Sequence, residues 1–240
     1  MSQTSPATSA TIVGLTLQNA GTGSLQAGVT TLGQIFQAGD VPAGQGLVAR
    51  IGGVSVPVQL DVKTTHPDGS AKMAVLAFER PALSAGTSTA VTIEKAPAPT
   101  TQAPVDLAAV SARHALVVEL TPAGQGKITV DVMDALRDAL ADGTASLWQK
   151  GPLATQARVE VDLPGSLRLK FDVTAFKDGQ ISVDAGFAND EAMLAVGGRV
   201  AYDVVARLNG QEVVRESVNH GQYQVWTREF ETSEANGGQG

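Results

Sequence analysis

Apolar and polar residues alternate with a period of two over most of the chain, which is the signature of half-buried strands. Ile12 to Leu17, Thr30 to Phe36, Leu47 to Ile51, Val54 to Lys63, Met73 to Phe78 and Thr87 to Ile93 read as strands in the first part. In the second part the strands are Ala115 to Leu120, Lys127 to Val130, Thr155 to Leu163, Leu167 to Phe176, Gln180 to Phe187, Val200 to Leu208, Glu212 to Val218 and Tyr223 to Phe230. The punctuation is hairpin chemistry. Gly52-Gly53 and Asn209-Gly210 supply the two positive-φ positions of a two-residue turn, and Pro67-Asp68-Gly69 and Lys177-Asp178-Gly179 mark further turns. Along Val54 to Lys63, Val56, Val58, Leu60 and Val62 share one face, with Pro57, Gln59 and Asp61 on the other. Pro57 lacks an N–H, so it calls for an edge position or a bulge.

The period changes once. Val132, Leu136 and Leu140 recur every four residues beside Met133, so residues 132–142 read as an amphipathic helix with Asp131 as N-cap and Gly143 as stop. The fold class expected is all-β, with two antiparallel β-sandwich-like regions and this one short helix. The Pro/Thr-rich segment 96–106 reads as a linker between an N-terminal β region, 1–95, and a C-terminal β-sandwich, 107–231. Residues 1–10, rich in Ser, Thr and Ala, read as a mobile arm, and 232–240 as a disordered tail.

Composition narrows the chemistry. Aromatic residues are only 4% of the chain, so the core must be built from Val, Leu, Ile and Ala, and each aromatic carries information. Trp148, directly after the helix, reads as a core plug. The net charge of −7 and the lack of any Lys/Arg cluster argue against a nucleic-acid partner. No 18-residue apolar run exists, so no membrane insertion is expected, and the N-terminal decapeptide lacks the charge and apolar pattern of an export signal. The chain is expected to be made in the cytoplasm.

Catalytic motifs are not apparent. The chain has no cysteine, and His66, His114 and His220 are scattered without metal-ligand spacing, so neither a metal nor any other cofactor is expected. Gly-rich stretches such as Gly124 to Gly126 and Gly197-Gly198 lack the helix and lysine of a phosphate site and read as turns. Asp61, Asp68, Asp172 and Asp184 are the acids a glycosidase reading would draw on, and a solvated sheet face accounts for Asp172 more simply. One cluster stands apart: His220, Tyr223, Trp226 and Arg228 lie within nine residues. Alternation puts Trp226 and Arg228 on one face and Tyr223 with Val225 on the other. Core or subunit interface is one use for such residues. Contact with a glycan, whose C–H faces stack on flat rings, is another.

Several segments resemble known families. The runs Gly33 to Pro42 (GQIFQAGDVP), Val56 to Gln59, Pro67 to Ser70 and Met73 to Leu76 resemble the N-terminal β-domain of the exo-rhamnogalacturonan lyase-like family. With Gly151 to Thr155, Arg158-Val159, Phe171 to Phe176, Asp178-Gly179 and Trp226 to Arg228, the longer order is similar to β-rich virion appendage proteins of tailed phages, prophages and gene transfer agents. The resemblance covers about residues 30–230 and implies no catalytic residue, because the lyase-like family holds its catalytic machinery in a separate helical toroid. It implies a non-enzymatic particle component, a fibre, spike or other appendage at the particle surface. Its partners would be other virion proteins and copies of itself, and host surface polysaccharide is a further expected contact. The alternative is a non-catalytic carbohydrate-binding or accessory β module of a polysaccharide-degrading system.

Overall fold

A computed structural model describes residues 11–190, 198–221 and 223–232; the expected arm at 1–10 and the tail from 233 onward lie outside the described residues. The chain divides into two compact units. The first gathers the described residues up to Pro104 together with Gly151–Ala154, and the second holds Val105–Lys150 and the described residues from Thr155 on. Strands dominate both, and the sheets are antiparallel.

The first unit is a six-stranded sheet of β1 (Thr11–Gln18), β2 (Gly28–Ile35), β3 (Gly46–Ile51), β4 (Val54–Thr65), β5 (Ala71–Arg80) and β6 (Ser88–Ala96), in the order β1-β6-β3-β4-β5-β2. Gly52 and Gly53, at φ 57° and 85°, make the two-residue turn between β3 and β4. β4 is shared unevenly. Val54 to Val58 pair with β3, Val58 to Thr65 pair with β5, and Val58 alone faces both neighbours. Pro57 lies opposite Val48 where β4 has only the β3 partner, so its missing N–H disrupts no second ladder. The core packs Phe36, Leu47, Ile51, Leu76, Phe78 and Ile93. Gly46 is required by space: a Cβ there would stand 1.8 Å from the Pro97 carbonyl oxygen.

Gln59 departs from its expected polar face. It is buried, its Oε1 accepts from the Leu153 and Ala154 N–H groups at 2.9 and 3.0 Å, and its Nε2 donates to the Ala154 carbonyl at 2.8 Å. A side-chain amide here satisfies the backbone of Leu153 and Ala154 as a neighbouring strand would.

The second unit contains α1 (Leu107–Ser111), β7 (Leu116–Pro122), β8 (Ile128–Asp131), α2 (Val132–Ala141), β9 (Ser146–Lys150), β10 (Ala154–Asp162, all but its first residue), β11 (Arg168–Phe176), β12 (Ile181–Ala188), β13 (Val200–Leu208), β14 (Gln211–His220) and β15 (Val225–Glu231). Two sheets form, a five-stranded one ordered β15-β12-β11-β10-β9 and a four-stranded one ordered β14-β13-β7-β8. One apolar core draws on both: Phe171, Val173 and Phe187 from the first, and Val118, Leu120 and Val204 from the second. This is the alternation of a sandwich, inner residues apolar and outer ones polar. α2 starts where the sequence places its cap: the Asp131 carboxylate accepts from the Met133 and Asp134 N–H groups.

Three expectations are corrected. Among the described residues there are two helices, not one; α1 is capped by Asp106, and five residues are too few to show a period. Trp148 is no core plug: it stands in β9 with 45% of its surface exposed. Thr232, expected in the tail, is instead buried, and its hydroxyl oxygen accepts from the Ile181 N–H at 3.0 Å.

Candidate functional site

β14 and β15 are end strands, one from each sheet of the second unit, and their inward residues close the rim of the sandwich. Trp226 and Arg228 lie on the inner face of β15, in register with Phe187 and Ala185 of β12. The indole packs edge-on against Phe187 at 4.7 Å between ring centroids. The Arg228 guanidinium carbon lies 4.3 Å from the indole centroid. Its Nη2 donates to both Glu216 carboxylate oxygens at 2.5 and 2.7 Å, and its Nη1 donates to the Thr227 carbonyl at 2.8 Å. The fork of Arg228 is thus engaged within the chain. Glu216, on the inner face of an edge strand, also discourages strand pairing there.

His220 is buried, with its ring edge-on to Tyr202 at 5.5 Å and its Nδ1 3.5 Å from the Tyr202 hydroxyl. Burial lowers the His220 pKa and raises that of Tyr202, so both stay neutral at physiological pH. Of the four residues read from sequence, the structure brings Trp226 and Arg228 into direct contact. His220 lies with Trp226 on a shallow depression of about 400 Å³ that Glu216, Asn219 and Gln224 also line.

Tyr223 is not on the strand that alternation gives it. It sits in the preceding turn at φ 60°, a left-handed conformation unfavourable for a bulky side chain, and 60% of its surface is exposed. The turn is fastened from afar by Asn189, which is fully buried. The Asn189 carbonyl accepts from the Tyr223 N–H at 3.0 Å, its own N–H donates to the Gln224 carbonyl at 3.1 Å, and its amide donates to the Gly198 and Gly221 carbonyls. Ser166 donates to the Asn189 Oδ1 at 2.6 Å. No local pattern marks Asn189, so sequence reasoning misses it.

The carboxylates read as candidate acid–base groups are divided between the units. In the first, Asp61 accepts from the Gln59 amide at 2.7 Å. Asp68 accepts from the Ser70 hydroxyl and N–H at 2.6 and 2.9 Å, which holds its carboxyl below the usual range. These bonds, with the Gly69 φ of 81°, make it a turn residue. In the second unit Asp172, Asp184 and Glu229 stand in register across β11, β12 and β15, on the outer sheet face, in a cleft of about 600 Å³. Arg158 neutralises Asp172 through two bonds of 2.8 and 2.7 Å. Desolvation, then repulsion from Glu229 and Asp172, raises the Asp184 pKa; burial, then Glu231, raises that of Glu229. Among the described residues no group of three or more His, Asp or Glu is placed to hold a metal ion.

The outer face of the four-stranded sheet carries a line of alternating charge. Lys127 and Arg207 each reach Glu119 at 2.8 Å, Arg207 also approaches Glu212 at 3.6 Å, and Arg215 pairs with Glu212 at 2.7 Å. Hydrogen bonds from the two cations bring the Glu119 pKa down to about 2.

The remaining surface feature is β9, the end strand of the five-stranded sheet away from β15. Leu147 pairs with Ala157 and Gln149 with Gln156, so Trp148 is the extra residue of a β-bulge. Leu147 and Trp148 are 50% and 45% exposed. Among the described residues no helix is long and apolar enough to cross a membrane. No protein-family model matches the chain, and no curated protein matches it.

Proposed function

We propose that the chain is a structural, non-catalytic component of a phage or gene transfer agent particle, a fibre, spike or other appendage protein that works by self-association and docking. The observation that supports this reading is the β9 edge. β9 is an end strand of its sheet, and two large apolar side chains, Leu147 and Trp148, are about half exposed on it, a surface that favours burial against another chain. The occupant is a second copy of the chain. Light scattering of the purified protein is expected to give a multiple of the 24.6 kDa chain mass. Leu147→Asp should return it to the monomer while leaving its circular dichroism unchanged. A wild-type monomer at all concentrations overturns the reading, as does absence of the chain from density-banded particles of a producing culture.

A second reading, a carbohydrate-binding or accessory β module, is favoured by one observation: Tyr223 is held in an unfavourable conformation with its side chain exposed to solvent. Contact with host glycan joins the two readings, since an appendage protein uses such a site as well.

A further inference from the structure

Among the described residues, two other than glycine have positive φ, and they differ in cause. Asn209 belongs to the Asn-Gly turn between β13 and β14, where both central residues need that conformation and Asn tolerates it. Tyr223 has no such local reason. A residue in a sparsely populated conformation persists only where its surroundings over-determine it. Here the surroundings are the buried Asn189 and its bonds to Gly198, Gly221, Tyr223 and Gln224. The result is an aromatic ring held outward, in a chain with two Tyr, two Trp and six Phe.

Beside it, Val225 is 58% exposed, and the depression follows, edged by Asn219 and Gln224. The Asn219 Oδ1 accepts from Arg199 at 3.2 Å and the Gln224 Oε1 from the Gly221 N–H at 2.6 Å. Each amide keeps an NH₂ with no partner among the described residues. The charged residue of the lining, Glu216, is neutralised by Arg228. The depression therefore combines amide donors with an acid neutralised by Arg228, the Arg199 guanidinium stands at its Asn219 end, and the exposed Tyr223 ring adjoins it through Gln224 and Val225.

We infer that Tyr223, Asn219 and Gln224 form a binding site for an uncharged pyranose polysaccharide, with the phenol ring as the platform for a sugar's C–H face and the Asn219 and Gln224 amides as donors to its hydroxyls. This deepens the glycan-contact part of the function proposed above and rests on it. The chain's net charge of −7 disfavours acidic glycans, and the Arg199 cation at the margin is engaged by the Asn219 side chain.

Affinity electrophoresis of the full chain through hydroxyethylcellulose, galactomannan and dextran, with polygalacturonate as the anionic counterpart, tests this. At least one neutral polymer should retard the wild type, and polygalacturonate should not. Tyr223→Phe keeps the ring and should keep the retardation. Tyr223→Asn should abolish it while melting at or above the wild-type temperature, because Asn accepts the left-handed conformation. The inference is overturned if no neutral polymer retards the wild type, if polygalacturonate retards it equally, if Tyr223→Phe loses retardation or if Tyr223→Asn keeps it. A clear drop in the Tyr223→Asn melting temperature overturns it too, since the ring would then be structural. Assembly is read separately. A wild type that oligomerises but is not retarded defeats this inference alone, and one that is retarded but monomeric defeats the particle reading alone.

Discussion

The five-stranded sheet ends on a tryptophan-bearing strand at each side, and the two ends are built differently. On β15, Trp226 faces inward, its edge against Phe187, its face under Arg228, with Glu216 of β14 locking the guanidinium in place. On β9, a bulge leaves Trp148 and Leu147 half in solvent. Both are end strands, but β15 is closed by a charge pair from the facing sheet, whereas β9 keeps two large apolar side chains about half exposed. Residue type alone does not reveal how an aromatic is used. What decides is the partner that the opposite strand supplies.

The two ends separate most widely at their tryptophans. Trp226→Ala removes a ring packed on the core and is expected to cost about 2–4 kcal/mol, somewhat below a fully buried site. Trp148→Ala should cost less than about 1 kcal/mol in the monomer. Urea unfolding of both variants checks this, and equal losses would mean that the two ends are alike. A smaller effect separates the members of the closing pair. Glu216→Ala removes a half-exposed ion pair, about 0.2–1 kcal/mol. Arg228→Ala also uncovers the indole and should cost about 0.5–1 kcal/mol more. Equal losses in the two variants would mean that the cation–ring contact contributes nothing.

The weakest effects concern charge on the outer sheet faces. The Asp184 pKa is raised in the folded state, so its penalty is absent below the ordinary carboxylate range. It grows as pH climbs from that range through the raised value and is complete above it. Asp184→Asn should therefore melt about 1–2 °C above wild type at pH 7 and show no gain at about pH 3. Glu119 has the opposite sign. Its contribution is present above its unfolded value and is lost as pH falls toward about 2, so Glu119→Gln should lower the melting temperature at pH 7 and not at the acid limit. Thermal scans across pH read both, and a Glu119→Gln gain at neutral pH would remove the ion line from the account.

Much of the fold is legible in the sequence because its signals are local. The Asn209-Gly210 turn has φ 49° and 83°, Gly179 has φ 87°, and Asp131 caps α2, all consequences of residues next to one another. What stays hidden depends on distant partners. Gln59 reads as a polar-face residue because the segment it holds, Leu153 and Ala154, is remote in sequence. β9 escapes detection because a bulge breaks alternation at Trp148. At the rim, the pairing of Trp226 with Arg228 follows from period two, whereas Glu216 as their partner does not. A local pattern assigns Tyr223 to the wrong element because the bonds that turn the chain there come from Asn189.

Strand β4 passes from one partner to the other at Val58, so the β3–β4 and β4–β5 ladders of the six-stranded sheet overlap at a single shared residue. Solvent deuterium should see this seam. Amides that β4 gives to β3 and those it gives to β5 belong to different opening events, and a fluctuation that releases one ladder need not release the other. The seam at Val58, next to Pro57 and its missing N–H, is where the exchange rates of neighbouring β4 residues should part company.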